Sequence, residues 1–304
     1  MGSSRSGFGD LLEPGFREIY DDAFEELPLV YPQLFHMNSS TKQDEKDSGI
    51  TGFGLMTQTG EGEQVDYEDP LQMYDNTYTH LKYTKGFKVS EELYEDDLYN
   101  VIKKKPAALA RTTRRTQEFL AASLWNNAFS TSQLGGDGKP LASISHPRSD
   151  GGTAQSNASA VGLTLTEENI ETLRTQARKQ LDDKGMRIQT MPSTILVPVE
   201  LEKAANIIFS SSLRSDTADN DYNFYRGKFK VIAWEYLTSA TAWFLIDPTQ
   251  HQVNWFWRIK PEFKQDNSFD TGMALFKVRM RLSKGFSDWR GIVGSKGNGA
   301  AFSD

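Results

Sequence analysis

Residues 192–202, PSTILVPVELE, contain the change of pattern that decides the fold. Residues 193–197 are a short, mostly apolar run with β-branched side chains, which is typical of a buried strand. Pro198 follows this run, and proline is favoured in the first turn of a helix. We therefore predict a buried strand that leads directly into a helix, and we expect that helix to continue through Ile208.

Helix and strand patterns alternate on both sides of this stretch. Residues 166–169, TEEN, have the composition of a helix start, and that helix is expected to end near Gly185. Further strands are predicted at residues 229–234, 242–246, 253–258 and 273–282, the last alternating apolar residues with lysine and arginine. Strands and helices mixed in this order favour an α+β fold.

A long helix is predicted before this region. Ser90 is a suitable N-cap, Pro106 is expected to break or kink the helix, and a second helical run extends from residue 107 to about residue 131. A helix of roughly 24 residues would be about 36 Å long. Basic side chains surround the expected kink: Lys103, Lys104, Lys105, Arg111, Arg114 and Arg115.

Residues 50–89 have the pattern of a long β-hairpin with an acidic tip. Alternation with a period of two predicts strands at residues 51–57, 78–84 and 87–89. The acidic side chains between them are Glu61, Glu63, Asp66, Glu68 and Asp69. An isolated two-stranded ribbon is marginal in water, and residues 1–49 are acidic with few core-forming side chains. We expect both segments to order against another surface.

The charge of the chain is distributed unevenly. Residues 1–100 contain 7 basic and 21 acidic residues, whereas the remaining 204 residues contain 27 basic and 20 acidic ones, so a net charge of −14 is followed by one of +7. Such an asymmetry is typical of an acidic tail or of two surfaces that meet. The acidic hairpin and the basic helix residues favour the second interpretation, with contact between copies of the chain.

The recognised patterns of catalytic and metal-binding sites are incomplete in this sequence. GGDGKP at residues 135–140 lacks the glycine and the hydroxyl residue that a phosphate-binding loop needs at Gln133 and Pro140. DTADND at residues 216–221 lacks the sixth-position glycine and the twelfth-position glutamate of a calcium loop. The four histidines lie far apart, and the chain contains no cysteine. We therefore predict no catalytic residue, no metal site, no cofactor and no enzymatic activity.

Two features allow a binding interpretation as well as a structural one. Trp255 and Trp257 share one face of a strand, which suits stacking on a sugar or a base, although core packing is the favoured reading. The basic cluster resembles a nucleic-acid patch, but it has no interleaved aromatic residues. A solvated helix face and a contact with an acidic partner are its other interpretations.

No apolar run approaches the ~20 residues of a membrane span, so no membrane contact is expected.

Several stretches resemble the major capsid proteins of tailed double-stranded DNA viruses, which have the Hong Kong 97-type fold. The strand-then-helix stretch is similar to the start of that family's axial domain. Two further groups of residues are similar to the head subunits of Mu-like phages and prophages, including their closing strand. The residues that carry the resemblance are 192–202 (PSTILVPVELE), 217–221 (TADND), 236–238 (YLT), 242–245 (AWFL), 269–272 (FDTG), 277–281 (KVRMR) and 285–291 (GFSDWRG).

The resemblance implies a division of the chain into five parts. Residues 1–49 correspond to an N-terminal arm and residues 50–89 to an extended β-hairpin loop. Residues 90–159 correspond to a peripheral domain with a long spine helix, and residues 160–252 to an axial domain. Residues 253–304 correspond to the closing strands of the peripheral domain.

The resemblance also implies a function. We expect a structural subunit that forms pentamers and hexamers of an icosahedral virion shell, made in the host cytoplasm, around double-stranded DNA that it does not bind sequence-specifically. A separate scaffold protein, a portal and a decoration protein are the expected partners. The hairpin's acidic residues are expected to approach a neighbour's basic cluster. An encapsulin-type protein compartment and a lectin-like module are the alternatives.

Overall fold

A computed structural model of the chain describes residues 8–90, 92, 93, 101–211, 222–268 and 271–302. The helices of this part are α1 (Phe8–Glu25), α2 (Lys104–Asn126), α3 (Glu167–Arg178) and α4 (Val199–Ser210). Its strands are β1 (His36–Ser39), β2 (Asp44–Ile50), β3 (Gln72–Thr79), β4 (Leu81–Ser90), β5 (Thr194–Val197), β6 (Lys230–Ala233), β7 (Trp243–Ile246), β8 (Val253–Ser268), β9 (Met273–Phe286) and β10 (Ile292–Ser295).

The chain divides into two compact units. The first comprises Met1–Glu45, Tyr78–Ala121 and Trp255–Lys284, and the second comprises Lys46–Thr77, Ala122–Asn254 and Gly285–Asp304.

The first unit contains a four-stranded sheet in the order β1-β8-β9-β4. β4 and β9 pair antiparallel, from Leu81 opposite Leu282 to Ser90 opposite Met273. Because side chains alternate between the faces of a strand, one face of this sheet is apolar and packs with α1 and α2. The resulting core contains Phe16, Tyr20, Ala23, Val89, Ile102, Leu109, Ala110, Phe263, Ala274, Phe276 and Val278.

The second unit contains a four-stranded sheet in the order β10-β7-β5-β6. β5 and β6 are parallel and are joined through α4, whereas β7 runs antiparallel to β5 and β10. All residues of β5, β7 and β10 are buried, which agrees with the apolar pattern that predicted the first two of them. The strand-then-helix prediction for residues 192–202 is therefore confirmed. The core contains Ile170, Leu173, Ala177, Ile195, Val197, Ala205, Phe209, Tyr225, Phe229, Trp243, Leu245 and Val293.

The hairpin predicted within residues 50–89 forms earlier in the chain, and β4, which was expected to be part of it, pairs with β9 instead. β2 and β3 form a two-stranded sheet, and the Thr51 amide donates to the Leu71 carbonyl at 2.8 Å just beyond these strands. Residues 52–70 have no strand, and a turn lies at residues 61–62. The strand predicted at residues 51–57 is therefore wrong. Two of its alternate positions are Gly52 and Gly54, and glycines supply no side chain to pack and lose more backbone entropy than other residues.

Pro106 begins helix α2 rather than kinking it. α2 starts at Lys104, so the proline lies in the first turn, where its missing N–H has no helical partner to lose. The helix ends at Asn126, earlier than predicted, and a turn in which the Ala128 amide donates to the Trp125 carbonyl at 3.1 Å follows. The preceding helix predicted from Ser90 falls largely on residue 91 and residues 94–100, which lie outside the described residues.

The described part of the predicted N-terminal arm packs on the sheet of the first unit. α1 buries Phe16 and Tyr20, whose rings lie 5.1 Å from Phe276 and 5.2 Å from Phe263 between centroids. The expectation that this segment orders against another surface is thus met within the chain itself. The helical form of the segment was not predicted, although Phe16, Tyr20 and Phe24 recur every four residues as an apolar helix stripe does.

Candidate functional site

The loop between β2 and β3 exposes apolar and acidic side chains together. Phe53, Leu55, Met56, Val65 and Tyr67 are between 62% and 100% exposed. All five predicted acidic residues of this loop are also exposed: Glu61, Glu63, Asp66, Glu68 and Asp69. Large apolar side chains concentrated in one exposed segment are typical of a surface that contacts a partner. The loop therefore exposes several large apolar side chains beside its acidic ones.

Two of the acidic side chains in this loop make contacts inside their own unit. Glu68 forms an ion pair with Lys184 and accepts a hydrogen bond from the Gly54 amide. The hydrogen bond from Lys184 is the main reason that the pKa of Glu68 is lowered. Glu63 accepts a hydrogen bond from the Gly60 amide at 2.7 Å and so supports the turn at the tip.

The remaining acidic side chains of this loop are exposed. Glu61, Asp66 and Asp69 form no ion pair in the part of the chain that the structure describes. Glu61 lies in the tip turn at residues 61–62, and Asp66 and Asp69 follow it, so their carboxylates are spread along the second half of the loop. A partner with several separated cations would match this distribution.

Two residues of the predicted basic cluster contact the end of α1. Arg114 donates to the Phe24 carbonyl, and its guanidinium lies 3.8 Å from the centre of the Phe24 ring. Burial is the first cause of the lowered pKa of Arg114. Arg111 lies 3.5 Å from Glu26 in an exposed ion pair, which contributes only about 0–1 kcal/mol. These two arginines therefore serve, at least in part, to hold α1 on the first unit.

The other members of the basic cluster face outward. Lys103, Lys104 and Arg115 are exposed, and Lys105 is half-buried. The Lys105 ammonium donates to the Lys88 carbonyl at 3.4 Å, which places the start of α2 beside the end of β4. The basic cluster belongs to the first unit, whereas the acidic residues of the loop belong to the second unit.

The first unit's sheet has an outer face, the one opposite α1 and α2. This face carries further cations that were not assigned a role from the sequence. Its side chains on β4, β8 and β9 include eight cations and two carboxylates. The cations are Lys82, Lys88, Arg258, Lys260, Lys264, Lys277, Arg279 and Arg281, and the carboxylates are Glu262 and Asp266. The alternation of lysine and arginine with apolar residues in 273–282 was the available signal, because it assigns Lys277, Arg279 and Arg281 to one face of β9.

The cations of this face exceed what its carboxylates can neutralise. Glu262 contacts Arg279 at 3.0 Å and Lys264 at 3.4 Å, and the hydrogen bond from Arg279 is the main cause of its lowered pKa. At the other end of the face, burial and then the charge of Arg281 lower the pKa of His80. The face is therefore a positively charged surface of the first unit.

The segment that resembles a phosphate-binding loop forms a structural turn. The Gly135 amide donates to the Lys139 carbonyl at 2.8 Å, and Gly138 has a positive φ of 73°. Asp137 lies 2.6 Å from Nδ1 of His146, which is fully buried and stacks on Trp289 with ring centres 4.3 Å apart. These contacts are those of a packed polar core. The segment resembling a calcium loop, residues 216–221, lies outside the described residues.

The described residues contain no cluster of three or more histidine, aspartate or glutamate side chains suited to a metal ion. No helix among them combines the length and the apolar character that a membrane span requires.

The paired tryptophans are part of the core, because Trp255 is fully buried and Trp257 is 8% exposed. The Trp255 ring lies 4.6 Å from Tyr31 and 5.4 Å from Trp257 between centroids. The packing interpretation is confirmed, and neither ring face is open to a sugar.

Sequence comparison identifies one family. The family model described as phage capsid protein matches residues 74–295, which include most of both units. No curated protein matches the sequence.

Several solved capsid structures have the same fold. The procapsid of bacteriophage JBD30 matches with a TM-score of 0.52 and 16% identity, covering 94% of this chain and 74% of that chain. The capsid of cyanophage P-SCSP1u matches with a TM-score of 0.59 and 9% identity, covering 88% of this chain and 87% of that chain. The capsid of a native GTA particle matches with a TM-score of 0.54 and 13% identity, covering 88% and 90%. The α+β Hong Kong 97-type fold class is therefore confirmed.

Proposed function

The chain belongs to the phage capsid protein family and is a structural subunit of a capsid shell, and from this premise we propose how it assembles and what it encloses. Many copies form pentamers and hexamers of an icosahedral shell around packaged double-stranded DNA. Head-to-tail contacts that repeat around an axis close into such rings. The role is structural, without a catalytic step.

The observation that carries this proposal is the loop of residues 51–71. It extends beyond the β2–β3 ribbon without regular structure, and it exposes large apolar side chains such as Leu55 and Met56. Exposed side chains of this kind are costly for a protein that stays monomeric. They become favourable when each loop lies against another copy of the chain in a closed shell.

We propose that the acidic residues of this loop approach basic residues of a neighbouring copy. The acidic set is Glu61, Glu63, Asp66, Glu68 and Asp69, and the basic set is Lys103, Lys104, Lys105, Arg111, Arg114 and Arg115. Because Arg111 and Arg114 already contact α1, the exposed lysines at the start of α2 are the main candidates. Each exposed pair contributes only about 0–1 kcal/mol, so the strength comes from repetition around the shell.

The parts of the chain and its partners follow the same proposal. Residues 1–49 act as the arm, 50–89 as the extended loop, 90–159 and 253–304 as the peripheral domain, and 160–252 as the axial domain. A separate scaffold protein, a portal and a decoration protein complete a particle that is assembled in the host cytoplasm. The motifs at 236–245 and 285–291 support a close relation to Mu-like head subunits.

A charge-reversal experiment tests the proposed contact. Lys103→Glu with Lys104→Glu places carboxylates at the start of α2, where the helix dipole favours them, so the subunit is expected to fold. We expect few shells from this variant and recovery when Glu61→Lys and Asp66→Lys are added. Particles are counted by electron microscopy after purification.

The control for this experiment reverses two exposed lysines of the second unit, Lys203→Glu with Lys230→Glu. Normal shells from this control and few from the α2 variant support the contact. Normal shells from the α2 variant, or failure to recover with the loop substitutions, contradict it. Particles that contain protein cargo instead of DNA would indicate a protein compartment, the alternative that shares the fold.

A further inference from the structure

We propose that the outer face of the first unit's sheet contains a socket that receives Tyr67 from the loop of a second copy. This inference rests on the proposed function, because it needs two copies in contact. It adds a specific acceptor site and a specific side chain to the general contact between acidic and basic residues.

The socket lies where β4 has a glycine. Gly86 faces Lys277 across the β4–β9 pair, and Lys88 faces Leu275 in the next outward-facing row. A Cβ at Gly86 would lie 2.5 Å from the Phe276 carbonyl oxygen, so no side chain fills this position. The result is an open cavity of about 410 Å³ between β4, β9 and the end of β8.

The floor of the socket is apolar, and its rim carries positively charged side chains. Leu275, 38% exposed, contributes apolar surface, and the ammonium-bearing side chains of Lys88, Lys264 and Lys277 surround it. Asp266 is the carboxylate of its lining. An occupant with an apolar or aromatic group between carboxylates would satisfy both parts.

Tyr67 is the loop side chain that fits this description. It is 82% exposed and makes no ring contact in the described part of the chain. Asp66 and Glu68 flank it directly, and Asp69 follows. Phe53, the other exposed aromatic residue of the loop, lies between two glycines and brings no carboxylate. Charge complementarity therefore selects Tyr67 among the exposed apolar residues.

The basic start of α2 reaches the strand that forms one side of the socket. Lys88, on its rim, is the residue whose carbonyl accepts the hydrogen bond from Lys105. The start of α2 therefore lies beside the edge of β4 next to the socket, although the helix itself packs on the opposite face of the sheet. The socket fixes the position of the loop, and the surrounding cations favour its approach.

Disulfide trapping tests the inference, because the natural chain has no cysteine. Tyr67→Cys subunits and Leu275→Cys subunits are prepared separately, mixed and assembled under mild oxidation. We expect a disulfide-linked dimer that contains one subunit of each kind. Replacing the second partner with Leu81→Cys, which is 57% exposed at the other end of β4, is expected to give no such dimer.

Two outcomes of the trapping experiment overturn the socket. One is closed shells without the Tyr67–Leu275 dimer, and the other is an equal yield from the Leu81→Cys control. Both leave the shell function intact. A wild-type protein that forms no shell contradicts the proposed function itself, so the two failures are distinguishable.

A pair of substitutions decides the matter if Tyr67→Cys subunits fail to assemble. Tyr67→Phe keeps the ring and is expected to assemble as the wild type does. Tyr67→Ala removes the ring and is expected to raise the protein concentration needed for assembly about tenfold, since a buried aromatic group contributes strongly to an interface. Equal assembly of both variants contradicts the socket.

Discussion

Lys284 near the end of β9 is expected to destabilise the subunit at neutral pH. Its ammonium donates to the Leu120 carbonyl of α2, and burial lowers its pKa from 10.5 to about 8. Each tenfold change in proton affinity corresponds to about 1.4 kcal/mol. The lower pKa in the folded state therefore reduces the free energy of unfolding by about 3 kcal/mol below pH 8. Lys284→Met, which keeps the length without the charge, should remove this cost.

The sign of the pH dependence follows from the same values. Between pH 8 and 10.5 the unfolded chain binds more protons at this position than the folded chain does, so the stability of the wild type rises with pH. Lys284→Met lacks this contribution. We therefore expect the variant to be more stable by up to about 3 kcal/mol at pH 7, with the difference shrinking as the pH approaches 10.5.

Urea unfolding of unassembled subunits measures this difference. Wild type, Lys284→Met and the control Lys260→Met, which alters an exposed lysine of β8, are compared at pH 7, 9 and 10.5. A difference in unfolding free energy that is the same at every pH reports a change in packing. The part of the difference that changes with pH reports the charge of Lys284. A difference in unfolding free energy that stays constant with pH, or an equal change in the control, would show that the charge of Lys284 does not destabilise the subunit.

Two further substitutions test the cores of the two units by the same unfolding assay. Phe16→Ala should lower the free energy of unfolding by about 3–5 kcal/mol because α1 loses a buried ring, whereas the exposed neighbour Glu18→Ala should change it by less than about 0.5 kcal/mol. A small effect of Phe16→Ala would mean that α1 is not part of the core. Arg290→Ala should cost about 3–5 kcal/mol because Asp183, 2.9 Å away and 4% exposed, stays buried without its partner. Arg174→Ala breaks a more exposed ion pair and should cost less than about 1 kcal/mol, and equal effects would contradict the argument.

Local patterns predicted the second unit well because its structure follows local signals. Thr166 accepts a hydrogen bond from the Asn169 amide at 3.3 Å, as the helix-start composition predicted. β5 and β7 are fully buried, as their apolar sequences indicated. β10 was not predicted, because its four residues are stabilised by pairing with β7 and carry no alternating pattern of their own.

The first unit was harder to predict because its elements depend on residues distant in sequence. α1 is acidic, and it is held by rings of β8 and β9 more than 230 residues away in the chain. The contact of Arg114 with Phe24 also joins residues that are distant in sequence. It distinguishes Arg114 from the exposed members of the basic cluster, and the sequence alone does not show this difference. The socket at Gly86 depends on strand register, which the sequence pattern does not specify.

Cryo-electron microscopy of assembled particles can show where the loop of residues 51–71 lies. We expect closed shells in which this loop from each subunit lies on the first unit of a neighbour, with density for Tyr67 above Gly86. A protein that remains monomeric at every concentration and salt level, with or without co-expressed scaffold protein, would contradict the capsid function.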